Sequence, residues 1–449
     1  MSVTVLGMLF IPATLICVLR GRRDWLPWVL AAGMPLTTCS AVVFGSNKVS
    51  PFFVAAFAAL WFVVIDGKRR WPSGVLVPVL VLMTGYMVLS SVILPTVFAG
   101  INVLVPRAGI DAQTLEPGTL TFSVSNVAQA SYLLLAASVV LFIASNPPPR
   151  HFINAGFAIG TVLNVWALAN QLYGIPFPSE IFDAGVDGAI GGTSSFNGTA
   201  RLRGVFSEPS YLATFSLAAL LFNAFLLRTT DVRGRKWVLA MVVANSVALV
   251  FSYSGTAVAS ATVVILLVLF ALSWQFATGT LKPPPLLTSG LLFGGAIAAL
   301  FSGLVSNYVS VLVGAKVGGS SYVNRNSSNS FSWDLFLQTG GFGAGLGSSR
   351  PSSFFFMLIS TVGLIGLALF VLLVAMVVIR AAKAGGFAPE IWALFATLVA
   401  KVIAEPNMSQ TVLWMSIAAC AVAFKGHAAS EPLTGEHAPP TSDRAANRE

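Results

Sequence analysis

Long apolar runs recur along almost the whole chain and constrain its fold more than any other feature. They are roughly 17 to 25 residues long, the length that an α-helix needs to cross the hydrocarbon core of a bilayer. Of the 449 residues, 56% are hydrophobic and only 9% are charged, which no soluble globular domain matches. The sequence therefore predicts an all-α, polytopic integral membrane protein.

The apolar runs predict about thirteen transmembrane helices, with 12 to 14 allowed because the boundaries are soft. They form one membrane domain over residues 1–424, and the polar segment 425–449 is expected to be a disordered cytoplasmic tail. The predicted spans are 2–19, 25–44, 51–66, 72–97, 127–146, 152–173, 209–227, 237–252, 256–276, 286–305, 352–379, 388–404 and 409–424.

The positions of the basic residues predict which way the spans run. Of the 25 Lys and Arg residues, 17 fall in linkers on one side, 7 on the opposite side, and Lys401 lies within a span. The positive-inside rule makes the richer side cytoplasmic, so the net charge of +9 needs no nucleic-acid partner. Three long loops, near 98–126, 174–208 and 306–351, then lie outside. All histidines map to the cytoplasmic side, so a histidine base or an external histidine metal site is not expected.

The second long loop ends in a charged stretch at the mouth of a predicted helix. It reads Arg201-Leu-Arg-Gly-Val-Phe-Ser-Glu-Pro-Ser210 and continues into the apolar run that starts at Tyr211. Charge at a membrane helix is costly and usually functional. Glu208 lies at the positive end of the helix dipole, where its ionised form is favoured and could accept a proton from a hydroxyl. It could equally be a first-turn residue that only complements the dipole.

The third loop ends in a glycine-rich stretch that runs into the next predicted helix. It reads Gly340-Gly-Phe-Gly-Ala-Gly-Leu-Gly-Ser-Ser-Arg-Pro351. Glycines let the backbone approach a ligand, and a helix N-terminus beside Arg350 is a natural anion site. The stretch could cradle a diphosphate, or it could be a flexible turn.

The arginines of the external loops and one charged pair near the C-terminus complete the candidate set. Arg201, Arg203, Arg325 and Arg350 oppose the positive-inside trend, and the planar fork of arginine matches phosphate oxygens. Lys401 and Glu405 lie one turn apart and could be a structural pair, although Glu405 falls at the outer end, where it could face a cleft.

The order of these motifs resembles that of the bacterial O-antigen and exopolysaccharide polymerases. The resemblance rests on the 201–211 stretch, Ser252-Tyr-Ser-Gly-Thr256, Gly343-Ala-Gly-Leu-Gly-Ser-Ser-Arg350 and Val362-Gly-Leu-Ile-Gly366, and covers roughly the second half of the chain. The related O-antigen ligases share much of this pattern. They commonly use a histidine in the later external loop, and this chain has none there.

The resemblance implies a GT-C-type glycosyltransferase of the bacterial inner membrane, with its active face in the periplasm. Such enzymes join undecaprenyl-diphosphate-linked oligosaccharide units with inversion and without a metal or other cofactor. The expected partners are this substrate, membrane lipids, and a chain-length regulator or export proteins. The predicted catalytic residues are Glu208 as the base, with Arg203 and Arg325. The predicted substrate-binding residues are Arg201, Arg350, Ser210, Tyr211, Asp334, Gly345, Gly347, Ser348 and Glu405.

Three other functions stay open from the sequence. A ligase-type transferase would use much of the same pattern, and a transporter or flippase of a polysaccharide system would also be polytopic with charges in a cleft. A non-catalytic assembly protein is the third. Transporters often contain internal repeats, and none is evident here.

Overall fold

The computed structural model describes residues 2–45, 47–66, 71–72, 74–104, 117–182, 192–196, 199–277 and 320–424. The helices of this part are α1 (Val5–Leu19), α2 (Leu26–Gly33), α3 (Pro51–Asp66), α4 (Leu76–Val97), α5 (Val124–Ser145), α6 (Asn154–Tyr173), α7 (Ser179–Phe182), α8 (Pro209–Leu226), α9 (Val232–Phe251), α10 (Gly255–Ala277), α11 (Ser320–Gln338), α12 (Phe354–Ala384), α13 (Ala388–Ala404) and α14 (Thr411–Ala421). A 3-10 turn, Val422–Phe424, follows α14.

Short strands form three small antiparallel sheets between the helices. The strands are β1 (Ser2–Val3), β2 (Val42–Phe44), β3 (Asn47–Val49), β4 (Asn102–Leu104), β5 (Pro117–Thr119), β6 (Thr193–Phe196) and β7 (Thr199–Leu202). Strands β1, β2 and β3 pair in that order, β4 pairs with β5, and β6 pairs with β7. They belong to the loops at one end of the helical bundle, which we call the pocket end.

The predicted all-α character is confirmed for the described part, which is mostly helical, and the composition of its long helices supports the predicted membrane character. Five helices of the described part, α4, α5, α8, α9 and α12, are long and apolar enough to cross a membrane. Large apolar side chains such as Leu82, Leu89 and Val371 are exposed on their outer faces, as expected where lipid replaces water.

The centre of the bundle is formed by helices that are buried on almost every side. α8 is buried along nearly its whole length and packs most extensively against α13. Every residue of α14 is buried, and this helix packs on α5. These central helices carry polar residues that an outer helix could not expose to lipid.

The two ends of the bundle differ in the contacts that their charged residues make. The end opposite the pocket end holds basic residues in pairs with acidic or aromatic partners. These pairs are Arg23 with Asp66, His151 with Glu390, and Arg150 over the Phe387 ring. Because the chain alternates between the two ends, the loops after α6 and α13 both reach the pocket end.

One predicted span differs from the structure near the N-terminus. The run 25–44 is predicted as one helix, but α2 ends at Gly33 and the chain turns through 35–40 into β2. Thr37 donates to the Met34 carbonyl at 3.2 Å and Thr38 to the Val205 carbonyl at 2.8 Å. The polar side chains therefore hold a loop inside the bundle, which an averaged hydropathy cannot detect.

A second difference is a sharp fold-back within α12, which is predicted as a straight span over 352–379. Gly363 has φ 66° and ψ −166°, a region that essentially only glycine adopts. Phe354 and Phe370 have ring centroids 5.4 Å apart, although a straight helix would separate their backbones by about 24 Å. The short segment before Gly363 therefore lies against the longer segment after it, and the start of α12 is placed inside the bundle.

The remaining predictions about the second half have mixed outcomes. The spans 237–252 and 256–276 correspond to α9 and α10, which are separate helices because Tyr253 takes a left-handed conformation with φ 43°. The predicted external loop 306–351 contains the Ser- and Asn-rich helix α11, which packs on α12. The predicted span 286–305 and the tail 425–449 lie outside the described residues.

Candidate functional site

The charged stretch 201–210 follows a hairpin and turns sharply into α8. Strands β6 and β7 pair Ser194 with Arg201, and the Gly192 carbonyl then accepts the N–H groups of Arg203 and Gly204, each at 2.9 Å. Gly204 has φ 61°, and a Cβ there would collide with the Asn164 side chain. The stretch is thus held rigidly by its own backbone.

Both arginines of this stretch contact backbone carbonyls. Arg203 is 1% exposed and donates to the Phe206 carbonyl at 2.6 Å and to the Thr193 carbonyl at 3.3 Å. Arg201 donates to the Ser252 carbonyl at 3.4 Å, in the turn between α9 and α10. These guanidinium groups support the loop that delivers the start of α8.

The next residues carry the chemistry of the stretch. Glu208 is the N-cap residue of α8, and its Oε2 accepts a hydrogen bond from the Ser210 hydroxyl at 3.0 Å. Tyr211 hydrogen-bonds Arg350, and the charges of Glu208 and Glu405 also act on it. Tyr211 therefore connects the second and third predicted loops.

The glycine-rich stretch is packed closely against neighbouring helices. The N–H groups of Gly343, Ala344 and Gly345 bond to the Thr339 hydroxyl and to the Ser360 and Thr361 carbonyls. A Cβ at Gly345 would meet Pro95, one at Gly347 would meet the Ser125 carbonyl, and Ser348 accepts from Asn126 at 2.7 Å. The N–H groups of residues 343–345 are thus used within the protein, and an anion at this stretch would depend on Arg350.

Helix α11 carries two of the predicted site residues. Asp334 is exposed and Arg325 is half-buried. Asn329, one turn after Arg325 on the same face, accepts from the Ser352 N–H at 3.3 Å. Arg325 therefore lies on the helix face that holds the segment after Arg350, but neither Arg325 nor Asp334 is among the residues that line the pocket described next.

A polar pocket of about 270 Å³ opens at the pocket end of the bundle. Six separate parts of the chain form its wall: the loop after α2, the start of α3, helix α5, the start of α8, the segment before α12 and the segment before α14. The lining residues are Thr37, Thr38, Lys48, Ser50, Phe53, Tyr132, Phe206, Ser207, Tyr211, Arg350, Glu405, Asn407, Ser409 and Gln410.

The charges of this wall are arranged with cations and a carboxylate around one space. Lys48 and Arg350 supply positive charge, and Glu405 supplies negative charge. The N-termini of α3, α8 and α14 also point toward the pocket, since Ser50, Tyr211 and Gln410 lie at or beside them. Their positive dipole ends favour an anionic ligand.

The loop between α13 and α14 is fixed by side chains at both of its ends. Lys401 is fully buried, donates to the Asn407 carbonyl at 2.5 Å and stands 4.7 Å from the centre of the Phe354 ring. Gln410 Nε2 donates to Glu405 Oε2 at 2.9 Å. Burial raises the pKa of the Glu405 carboxyl to about 7, against the lowering effect of the nearby Lys401 charge.

The structure brings together only part of the predicted set. Tyr211, Arg350 and Glu405 meet at the pocket, and Glu208 and Ser210 lie directly beside it. Among the predicted catalytic and substrate-binding residues, Glu208 and Arg350 are linked through Tyr211, whereas Arg203 and Arg325 are not among the residues that line the pocket. Arg203 contacts the carbonyls of its own loop, and Arg325 is half-buried on α11.

Sequence reasoning missed several residues of the pocket. Lys48 is one of the seven basic residues that oppose the positive-inside trend, so it carried the same signal as Arg350. The run of polar residues at 37–40 interrupts a predicted span and was a usable sign of a buried loop. Tyr132 gave no such sign, because a tyrosine in an apolar helix is ordinary.

Comparison with known proteins leaves the site to be interpreted on its own geometry. No protein-family model matches the chain, and no curated protein gives a significant match.

Proposed function

We propose that this protein is a membrane glycosyltransferase that polymerises a polysaccharide from oligosaccharide repeat units linked to a lipid diphosphate. The observation that carries the proposal is the pocket in which Lys48 and Arg350 face Glu405 at one end of an apolar helical bundle. The proposal includes thirteen spans, a GT-C-like architecture, the bacterial inner membrane, and a periplasmic active face with undecaprenyl diphosphate as the carrier.

The reaction has two electrostatic demands that this pocket meets. The bond between the anomeric carbon of the donor sugar and the diphosphate oxygen breaks, and the electron pair leaves with the diphosphate. Fixed positive groups stabilise the charge that develops on this leaving group. In this proposal Arg350, which hydrogen-bonds Tyr211, and Lys48 supply the positive charge from the pocket wall.

The sugar that receives the growing chain requires a protein group basic enough to accept the proton of its hydroxyl. An acceptor hydroxyl forms the new glycosidic bond and loses its proton to a carboxylate, which acts as general base. Glu208 and Glu405 are carboxylates whose charges act on Tyr211, which hydrogen-bonds Arg350. Attack opposite the leaving diphosphate gives inversion at the anomeric carbon.

A second, apolar groove supports a lipid-linked substrate. It has a volume of about 660 Å³, runs along α12 and α13, and reaches Phe354 and Val402. Phe354 contacts Lys401, which holds the loop at the floor of the polar pocket. A lipid tail in this groove would therefore place its diphosphate near Arg350.

Arg350→Ala tests the proposal in cells and in vesicles. We expect the variant to insert normally but to accumulate lipid-linked single repeat units, with polymer reduced at least about 100-fold because leaving-group stabilisation is lost. The measurement is the length distribution of lipid-linked glycans extracted from the host. Arg228→Ala, at an exposed position at the opposite end of the bundle, is the matched control.

Two outcomes would replace the proposal. Lipid-linked units that stay on the cytoplasmic face in the Arg350→Ala strain would indicate a flippase. Full-length polymer that is made but not attached to its final lipid would indicate a ligase.

A further inference from the structure

Two carboxylates, Glu208 and Glu405, act on Tyr211, and their surroundings differ. Glu208 is half-buried and accepts a hydrogen bond from Ser210, and it is not among the residues that line the pocket. Glu405 lines the pocket and has no exposed surface. Of the two, only Glu405 is therefore both shielded from water and part of the pocket wall.

The two oxygens of Glu405 are not equivalent. Oε2 accepts the hydrogen bond from Gln410, whereas Oε1 is buried and has no hydrogen-bond partner within the part of the chain that the structure describes. The Thr214 hydroxyl is close to this carboxylate, but it donates its proton to the Ser210 carbonyl at 3.1 Å. A buried carboxylate oxygen without a donor is unfavourable, so a ligand that donates a hydrogen bond would bind there strongly.

Gln410 presents a second acceptor next to the first. A carboxylate only accepts hydrogen bonds, so the amide nitrogen of Gln410 must face Glu405, and its Oε1 is left to accept from another group. This Oε1 and the Ser50 hydroxyl are also buried without a partner among the described residues, and both side chains line the pocket. The wall thus offers two neighbouring acceptors, with one hydroxyl elsewhere on the lining.

Two neighbouring acceptors require a ligand with two neighbouring donors. Adjacent hydroxyl groups on a sugar ring meet this requirement, because both donate and both are close together. A cationic ligand could also donate, but Lys48 and Arg350 line the same pocket and would repel it. The chemistry of the wall therefore favours a neutral diol.

We infer that Glu405 and Gln410 bind two neighbouring hydroxyl groups of the acceptor sugar, and that Glu405 is the general base. This inference rests on the proposed function and assigns the acceptor half of the site. The hydroxyl bound to Glu405 Oε1 attacks the donor anomeric carbon and gives its proton to that oxygen, while the bond to the diphosphate breaks. Gln410 binds the second hydroxyl and selects which hydroxyl attacks.

The test uses full-length protein reconstituted in vesicles with lipid-linked repeat units extracted from host cells that lack the gene. We expect Glu405→Gln to slow polymer formation at least about 100-fold, within the range of general-base removal. Gln410→Leu should weaken use of the acceptor about 10-fold and add linkages at a second hydroxyl, detected by methylation analysis of the product. Glu180→Gln, an exposed carboxylate at the same end of the bundle, is the control and should behave as wild type.

Glu208→Gln separates the two candidate bases. Glu208→Gln should reduce the rate of polymer formation less than Glu405→Gln does. The rate of Glu208→Gln should still fall at acid pH, whereas the residual rate of Glu405→Gln should not depend on acid pH. Binding of the repeat unit, followed by tryptophan fluorescence, checks that each variant is folded. If Glu405→Gln does not bind the repeat unit, two other results decide whether Glu405 is the base. They are the acid dependence of the rate of Glu208→Gln and the linkages in the polymer made by Gln410→Leu.

The outcomes separate this inference from the proposed function. Wild-type protein that makes no polymer contradicts the proposed function itself. Two results would overturn the inference alone, provided that the wild type is active. One is a Glu405→Gln variant that keeps its activity, and the other is a Glu208→Gln variant that loses the acid dependence of the rate. Unchanged linkages in Gln410→Leu overturn the role of Gln410.

Discussion

At the scale of single residues, the protonation of Glu405 controls the proposed chemistry. Burial raises the pKa of this carboxyl to about 7, and the charge of Glu208 raises it further, whereas Lys401 lowers it. Tyr211 and Arg350 also face this group from α8 and from the segment before α12. A carboxylate with such a pKa is ionised at neutral pH in a large fraction of molecules, yet it is a stronger base than an exposed glutamate.

The rate of polymer formation should therefore depend on pH with a defined sign. Below about pH 7 the carboxyl gains a proton and can no longer accept one, so the rate should fall about tenfold per pH unit. Glu208→Gln should move this fall to lower pH, because it removes the charge that raises the pKa of Glu405. The measurement is the initial rate in vesicles between pH 5 and about 9, and a shift to higher pH in Glu208→Gln would contradict the assignment.

Arginine shows why residue roles could be predicted only in part. Arg201, Arg203 and Arg350 have the same sequence signal, a basic group in a loop that opposes the positive-inside trend. Arg203 is surrounded by carbonyls that its own loop supplies, while Arg350 lines the pocket. That difference depends on tertiary contacts, because either side chain could reach a substrate or its own backbone.

At the scale of elements, hydropathy predicted the straight helices well and the bent ones poorly. The spans 209–227 and 388–404 agree with α8 and α13 to within one residue. The fold-back in α12 could not be predicted, since one glycine in an apolar run hardly changes its mean hydropathy. Helix α11 was also missed, because its Ser- and Asn-rich sequence has low helix propensity and its packing on α12 supports it instead.

Gly363→Ala should disrupt the fold-back of α12. A Cβ at this position would lie 2.3 Å from the Gly341 carbonyl oxygen, and the backbone conformation is strained for any other residue. We expect a loss of stability of about 3 kcal/mol or more, together with loss of activity, because Arg350 lies just before the displaced segment.

Thermal unfolding in detergent measures this loss, and Gly85→Ala in α4 is the matched control. A Cβ at Gly85 would meet no atom within 4 Å, so this change should be neutral or stabilising by up to about 1 kcal/mol. Equal unfolding temperatures for the two variants would show that the fold-back does not constrain the chain.

At the scale of the whole molecule, the two ends of the bundle should face opposite sides of the membrane. Glu180 and Arg228 are both exposed, and α8 lies between the segments that carry them. In whole cells, a membrane-impermeant maleimide should label Glu180→Cys directly and Arg228→Cys only after permeabilisation. The native cysteines Cys17, Cys39 and Cys420 are buried and should contribute little background. Labelling of both variants in intact cells would contradict the arrangement.

The hydrogen bond between Thr37 and Thr411, 2.8 Å long across 374 positions of sequence, has a consequence for biosynthesis. A membrane chain is inserted from its N-terminus. The loop after α2, which carries Thr37, is therefore in the bilayer before α14, which begins at Thr411, has left the ribosome. Incomplete chains then lack one wall of the pocket, however many helices they have inserted. A ribosome that stalls before residue 411 would release a chain in which this hydrogen bond cannot form.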